Sequence, residues 1–241
     1  MIPLKGICFE VYAPLMSFRK PRYENYQLSY AIPPKTIVAG MIAHAYNQGE
    51  KFFYNLLKDF QYGVVTLSLK GKFKDLWRAI QGKGQEGGER AVFQREKLFY
   101  PHYRIYVTSN KFLDKILKAL KEPENPIYLG LSEDLIEIRG VQEVTLNPIV
   151  SNTIDTIIPI NWMSKIENFE WKKSLEELKT FFPPHIESMI TDFQVEFRGS
   201  IRTKREPIKT VELLIINGGK FKLKEQVKVY QGMEDDHILL F

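Results

Sequence analysis

The stretch Leu4-Lys5-Gly6-Ile7-Cys8-Phe9-Glu10-Val11-Tyr12-Ala13 alternates with a period of two. Ile7, Phe9 and Val11 fall on one side and Cys8, Glu10 and Tyr12 on the other, which is the spacing of a β-strand. Outward from it, residues Ser17 to Pro34 are irregular and rich in Arg, Tyr and Pro. Pro33-Pro34 punctuates the chain, Thr36 can cap a helix, and Val38, Met41, Ile42 and Ala45 recur at helical spacing. Gly49 interrupts that helix, and Phe53, Leu56, Leu57 and Phe60 form the stripe of a second piece. Tyr62 to Leu69 and Tyr103 to Thr108 read as strands, and Asn110 can cap a helix whose Phe112, Leu113, Ile116, Leu117 and Leu120 face the core. Leu135 to Leu146 is strand again, broken near Gly140. The order strand, helix, strand, strand, helix, strand is the split βαβ, or ferredoxin-like, arrangement, which RNA-recognition modules share.

Beyond residue 147 the character changes. Ser174 and Glu177 make a capping-box pattern before Leu178, Phe181 and Phe182, and Pro183-Pro184 ends that helix. Residues 193–198, 211–216, 220–223 and 226–230 read as strands of a small antiparallel sheet, with Asn217-Gly218-Gly219 as a turn between two of them. The expected class is therefore α+β: a ferredoxin-like domain over residues 1–146 and a small β-rich domain over residues 147–241.

At 44% hydrophobic and 26% charged residues, the chain has the composition of a globular protein and not of a disordered one. Runs such as Leu213-Leu214-Ile215-Ile216 are far shorter than the ~20 residues of a membrane span. The opening Met1-Ile2-Pro3-Leu4-Lys5-Gly6 holds no long apolar core, so secretion is not expected. The single cysteine, Cys8, can make neither an internal disulfide nor a cysteine-rich zinc site, and inside a strand it is a packing residue. A reducing cytoplasm is the expected compartment.

Charge is uneven: residues 1–120 carry +10 and residues 121–241 carry −5. A basic front half suits a polyanionic partner, although solvated surface charge would look the same. Residues 70–104 hold nine Lys and Arg, interleaved with Phe73, Trp77, Phe93, Phe99, Tyr100 and Tyr103. Such cations neutralise phosphates and such rings stack on bases. Between them Gln81-Gly82-Lys83-Gly84-Gln85-Glu86-Gly87-Gly88 is too glycine-rich for a helix or central strand, and it lacks the Lys-Ser/Thr ending of a phosphate loop. A second basic cluster, Ser17-Phe18-Arg19-Lys20-Pro21-Arg22, precedes the first helix, whose start carries Lys35 and Thr36. The candidate RNA contacts are Arg19, Arg22, Lys35, Arg95, Lys97, His102 and Arg104. None of His44, His102, His185 and His237 lies in a metal-ligand pattern, so neither a metal nor another cofactor is expected. Metal-free RNA cleavage needs a base, an acid and a cation, roles that His102, Tyr46 and Lys97 could fill. A phosphate contact is the simpler role for His102.

Two segments carry a family resemblance. Phe9-Glu10-Val11-Tyr12-Ala13-Pro14-Leu15-Met16-Ser17-Phe18-Arg19-Lys20-Pro21 is followed by Tyr30-Ala31-Ile32-Pro33-Pro34-Lys35-Thr36-Ile37-Val38-Ala39-Gly40-Met41-Ile42-Ala43. Together they resemble the N-terminal signature of the Cas-five family of CRISPR-associated proteins, in the RAMP superfamily. Pro126-Ile127-Tyr128-Leu129-Gly130-Leu131-Ser132-Glu133 is similar to a later stretch of the same family. The spelling is nearer the type I-B and I-A groups than type I-C. The resemblance implies a ferredoxin-like domain with a β-hairpin thumb, placed near residues 78–99. It implies a non-catalytic subunit of the type I Cascade interference complex in antiviral defence, bound to the 5′ handle of CRISPR RNA. The implied neighbours are the Cas-seven backbone protein and the large subunit, with target DNA an indirect partner and no membrane involved. Two alternatives stand beside it: a metal-independent endoribonuclease that processes precursor CRISPR RNA, and a small-molecule enzyme on a ferredoxin-like fold.

Overall fold

The computed structural model describes residues 2–21, 26–81, 89–171 and 182–241. The alternating N-terminal stretch forms strand β1 (Leu4–Tyr12). Short strands β2 (Leu15–Met16) and β3 (Tyr26–Gln27) follow, then helices α1 (Lys35–Ala45) and α2 (Glu50–Asp59). Next come β4 (Gln61–Ser68), β5 (Gly71–Gln81), β6 (Glu89–Phe99), β7 (His102–Thr108), helix α3 (Leu113–Lys121) and β8 (Glu137–Pro159). The remainder holds β9 (Ile166–Trp171), β10 (His185–Arg198), β11 (Ile201–Gln231) and β12 (His237–Ile238). The protein is thus α+β, mostly strand with few helices. The expected helix around Ser174 and Glu177, at 172–181, lies outside the described residues, as do Arg22 and the glycine-rich 82–88.

One sheet runs in the order β10-β11-β8-β1-β7-β4, with every neighbour antiparallel. Within it, β1 sits between β7 and β8, with Glu10 opposite Arg104 and Tyr12 opposite His102. The break expected near Gly140 is a bulge: Gly140 takes a φ of 59°, and the register against β1 shifts between Cys8 and Glu10. The expected boundary at 147 falls inside β8, where its partner changes from β1 (Leu4 opposite Leu146) to β11 (Gln231 opposite Asn147). The turn expected at Asn217-Gly218-Gly219 is instead a register shift within the single strand β11, with Gly218 at a φ of 77°. Pairing with β8 resumes at Lys220, and on the other side pairing with β10 ends at Ile215 and β9 takes over at Gly219, so the chain is carried through.

Each face of the sheet has its own cover. On the first, Ile7, Phe9, Val11, Val64, Tyr103, Ile105 and Val107 pack with Val38, Ile42, Leu56, Leu57, Ile116 and Leu120 of the three helices. On the second, Cys8, Val65, Tyr106 and Leu146 lie under Ile238, Met233 and Leu240. The tail is pinned there: the Tyr106 hydroxyl donates to Asp236 and accepts the Met233 N–H, and Phe241 exchanges backbone hydrogen bonds with Tyr62. Burial pushes the Cys8 thiol up to about 12, which keeps it protonated and unreactive. An RNA-recognition sheet stacks bases on its open face. Here residues 232–241 cover much of that face, and its end at Tyr12 and His102 is left partly accessible.

Beside the large sheet, β5 and β6 form an antiparallel hairpin whose register runs from Gly71 opposite Phe99 to Gln81 opposite Glu89. Segments read as irregular from sequence bind to it: β2 pairs with Leu98 and Phe99, and β3 pairs in parallel with Gln94 and Arg95.

Candidate nucleic-acid interface

Arg95 and Lys97 of β6 and Arg104 of β7 point inward. Arg95, Lys97 and Arg104 are 3%, 6% and 4% exposed, and each has carboxylate partners. Arg95 donates to Glu133 at 2.6 Å and to Gln27, and its guanidinium lies 3.9 Å from the Trp77 ring centre. Lys97 donates to Asp134 at 2.8 Å. Arg104 bridges Glu10, Glu234 and Asp236 at 2.8, 2.7 and 3.1 Å. Removing such charges from water costs several kcal/mol per ion, which only close counter-charges offset. These three cations therefore tie the hairpin and the tail to the body. They are not presented to phosphate.

The stretch Leu129-Gly130-Leu131-Ser132-Glu133-Asp134 supplies two of the counter-charges. Its backbone closes on itself through Leu129 N–H to Asp134 C=O and Asp134 N–H to Leu131 C=O. Gly130 takes a φ of 106°, and a Cβ there would sit 2.2 Å from the Ser17 carbonyl oxygen, so only glycine fits. This loop presses against the segment that β2 belongs to and delivers Glu133 and Asp134 to the hairpin base. Burial pushes the Asp134 carboxyl up, against the pull of Lys97.

The uncovered end of the second face is different. Tyr12 lies 6.0 Å from His102 edge-on and 6.1 Å from Tyr100 (ring centres). The rings continue through Phe99, 4.5 Å from Tyr100, to Phe73, 6.5 Å from Phe99. Phe73 and Phe99 are 38% and 41% exposed, unusual for phenylalanine and typical of a surface with a partner. Cations flank the row: Lys70 stands 4.7 Å over Tyr100, and Arg139 stands 5.3 Å over Tyr12 while pairing with Glu137. Tyr100 holds a φ of 47°, a costly left-handed conformation for a bulky residue, and its N–H donates to the Pro14 carbonyl. His102 Nε2 is 2.8 Å from a Glu10 oxygen, and the other Glu10 oxygen accepts from Arg104. Glu10 thereby orients the imidazole at the rim, and Arg104 holds the Glu10 carboxyl below the usual carboxylate range against the opposing effect of burial. Rings with cations beside them offer both the stacking and the phosphate contacts that a nucleic acid requires.

Other expected contacts stand elsewhere. Arg19 is exposed and, with Lys20, Thr36 and Arg205, lines a small cleft of about 240 Å³. Lys35 opens α1 and faces a separate cleft near Lys5 and Lys58. The cleavage trio does not converge. Tyr46, past the end of α1, packs its ring 5.7 Å from Phe52, Lys97 is held by Asp134 and His102 by Glu10, with no shared partner. Among the described residues no group of three or more His, Cys, Asp and Glu is placed to hold a metal ion, and no helix is long and apolar enough to cross a membrane. Sequence reasoning counted Lys70 among the cations of residues 70–104 and missed Tyr12 and Arg139, because β1, the β4–β5 link and β8 meet only in three dimensions.

A sequence model of the family described as CRISPR-associated protein (Cas_Cas5) matches residues 6–193. No curated protein matches the chain. Among solved structures, the fold is similar to a chain described as "CRISPR RNA-guided surveillance complex", at 14% identity and a TM-score of 0.52 over 91% of each chain. It is also similar to a CRISPR protein from Archaeoglobus fulgidus, at 12% identity and a TM-score of 0.51 over 98% of each chain. At these identities the likeness is one of fold.

Proposed function

The chain belongs to the CRISPR-associated Cas5 family, and on that premise we propose that it is a non-catalytic subunit of a Cascade-type CRISPR ribonucleoprotein, holding the 5′ handle of CRISPR RNA. The observation that carries this reading is the row of Phe73, Phe99, Tyr100, His102 and Tyr12, flanked by Lys70 and Arg139, at the uncovered end of the sheet. In this reading bases stack on the rings, Lys70 and His102 meet phosphates, and Arg19 offers a separate phosphate contact in its own cleft. The order β8-β1-β7-β4 with its crossing helices is the ferredoxin-like RAMP unit, and the β5–β6 hairpin is the thumb. Residues 147–241 serve as a smaller β-rich unit. The Cas-seven backbone protein and the large subunit are the partners, and target DNA is met through the assembly, in the cytoplasm.

Handle-bearing RNA titrated against the full chain tests this. Affinity should fall linearly with salt on logarithmic axes as counterions are released. Tyr100→Ala should weaken binding about tenfold or more, the effect of removing one stacking interaction of about 1–3 kcal/mol. A salt-independent affinity, or wild-type affinity in Tyr100→Ala, overturns the reading.

A further inference from the structure

Two groups of cations in the fold contrast. Arg95, Lys97 and Arg104 are buried against carboxylates. Five lysines are not: Lys5 on β1, Lys35 at the start of α1, Lys58 near the end of α2, Lys111 before α3 and Lys209 on β11. They converge on one open cleft of about 1000 Å³. Lys35, Lys58 and Lys209 also line an adjoining hollow of about 370 Å³, so the two form a continuous trough. Among the described residues none of the five makes an ion pair.

The acids nearby also serve the backbone, although Asp192 favours the charged Lys35 and Lys111 favours the charged Asp59. Asp59 accepts the Ser109 hydroxyl and the Lys111 N–H, fixing the turn before α3. Asp192 accepts the Phe193 N–H. Asp114 lies in the first turn of α3, where the helix dipole favours a negative charge. Lys35 and Lys209 repel one another across the trough, and Lys35 is partly buried with its ammonium 5.9 Å from the Phe60 ring centre. The side chains lining the trough bring five ammonium groups, one of them partly desolvated, against the three carboxylates of Asp59, Asp114 and Asp192, so the lining is net positive. The cleft is also far from the ring-lined rim. Lys5 and Tyr12 mark opposite ends of β1, seven residues apart, roughly 23 Å in an extended strand.

We propose that this trough binds the phosphate backbone of a second nucleic-acid strand, additional to the RNA held at the rim. Calling the strand second rests on the RNA reading above; the assignment of backbone phosphates does not. Lysines are flexible point charges, and five of them distributed along a trough suit a row of phosphates better than a single one. Charge without directed base contacts makes the contact independent of sequence.

The experiment uses the full chain saturated with handle-bearing RNA, and a labelled oligothymidylate as the second ligand. Wild type should bind the oligothymidylate with a steep salt dependence. Lys58→Gln/Lys111→Gln/Lys209→Gln should bind it at least tenfold more weakly. The slope of log affinity against log salt should drop by about 2, at about 0.7 for each phosphate of a single strand that is no longer neutralised. Its affinity for handle-bearing RNA should remain that of wild type. Lys58→Glu alone, at an exposed position, should shift oligothymidylate binding in the same direction and guards against a folding defect in the triple variant. Oligothymidylate bound by the triple variant with the wild-type slope overturns the proposal. So does its complete displacement by equimolar tripolyphosphate, which would make the trough a site for free anions. Lysine-dependent oligothymidylate binding in a protein that ignores handle-bearing RNA would uphold the trough and refute the RNA reading instead.

Discussion

Replacing Lys35 with methionine should stabilise the folded protein at neutral pH. Burial drives the Lys35 amine down from its ordinary 10.5 to about 8, Lys209 pushes it further the same way, and Asp192 opposes both. Below pH 8 the amine is charged in both the folded and the unfolded chain, and the fold bears the whole cost of the unfavourable environment. Between pH 8 and 10.5 the folded chain releases this proton while the unfolded chain keeps it. The unfolded state then binds more protons, so stability rises with pH until the cost is gone. At about 1.4 kcal/mol per pH unit, the gap bounds the cost at about 3 kcal/mol. The residual water access of a partly buried side chain brings the expected gain to about 1–2 kcal/mol. Methionine keeps most of the apolar stem and removes the charge, together with the ammonium's contact with the Phe60 ring. Urea unfolding of both proteins at low salt, in steps from pH 7 to 10.5, reads the difference. Lys35→Met should lead by about 1–2 kcal/mol at pH 7, and the lead should shrink above pH 8 and vanish near pH 10.5. A variant less stable than wild type at pH 7, or a lead unchanged across this range, would refute the account of Lys35 as an uncompensated charge.

Asp134→Asn leaves the buried Lys97 ammonium without its carboxylate and should cost about 3 kcal/mol or more in thermal or urea unfolding; Lys97→Met/Asp134→Leu should recover most of it. Gly130→Ala should lower stability by about 2 kcal/mol or more, because the new Cβ meets the Ser17 carbonyl in a backbone conformation that alanine resists; a melting temperature equal to wild type would contradict it. Purified protein incubated with a precursor CRISPR transcript in EDTA should leave it uncut, since Tyr46, Lys97 and His102 stand in three separate contact sets; a single cut at the base of the repeat, abolished in His102→Ala, would establish the nuclease alternative.

The strands and helices that carry long repeats were legible. Ile7, Phe9 and Val11 declare β1 by alternation, and Val38, Met41, Ile42 and Ala45 declare α1 by helical spacing; all seven are buried in the core. Short elements leave no such trace. β2 and β3 have two residues each, too few for any period, and exist because β6 offers them an edge. Asn217-Gly218-Gly219 is a sound local turn signal that tertiary pairing overrides, and the glycine's tolerance of positive φ is used for a bulge instead. The cover over the second face could not be anticipated either. Tyr106 and Cys8 read simply as strand residues, and the tail that buries them lies more than a hundred positions away.

Charge is where sequence reading is weakest, and the physical cause is specific. A lysine or arginine looks the same on paper whether its partner is a solvent molecule, a carboxylate or a phosphate. In β6 Arg95 and Lys97 stand two apart, which places them on one face together, and Arg104 shares a face of β7 with His102. Deciding between those faces requires Glu133, Asp134, Glu10 and Asp236, which are 37 to 132 positions distant. Once those acids are assigned, part of the net charge of the front half is cancelled inside the fold, and the positive field must come from the residues left over. Lys5, Lys35, Lys58, Lys111 and Lys209 span most of the chain and form no motif, yet folding brings them to one trough. Neutralised cations hold this fold together, while the unneutralised ones are those that the proposed polyanion would meet. Only the second group should govern the salt dependence of binding.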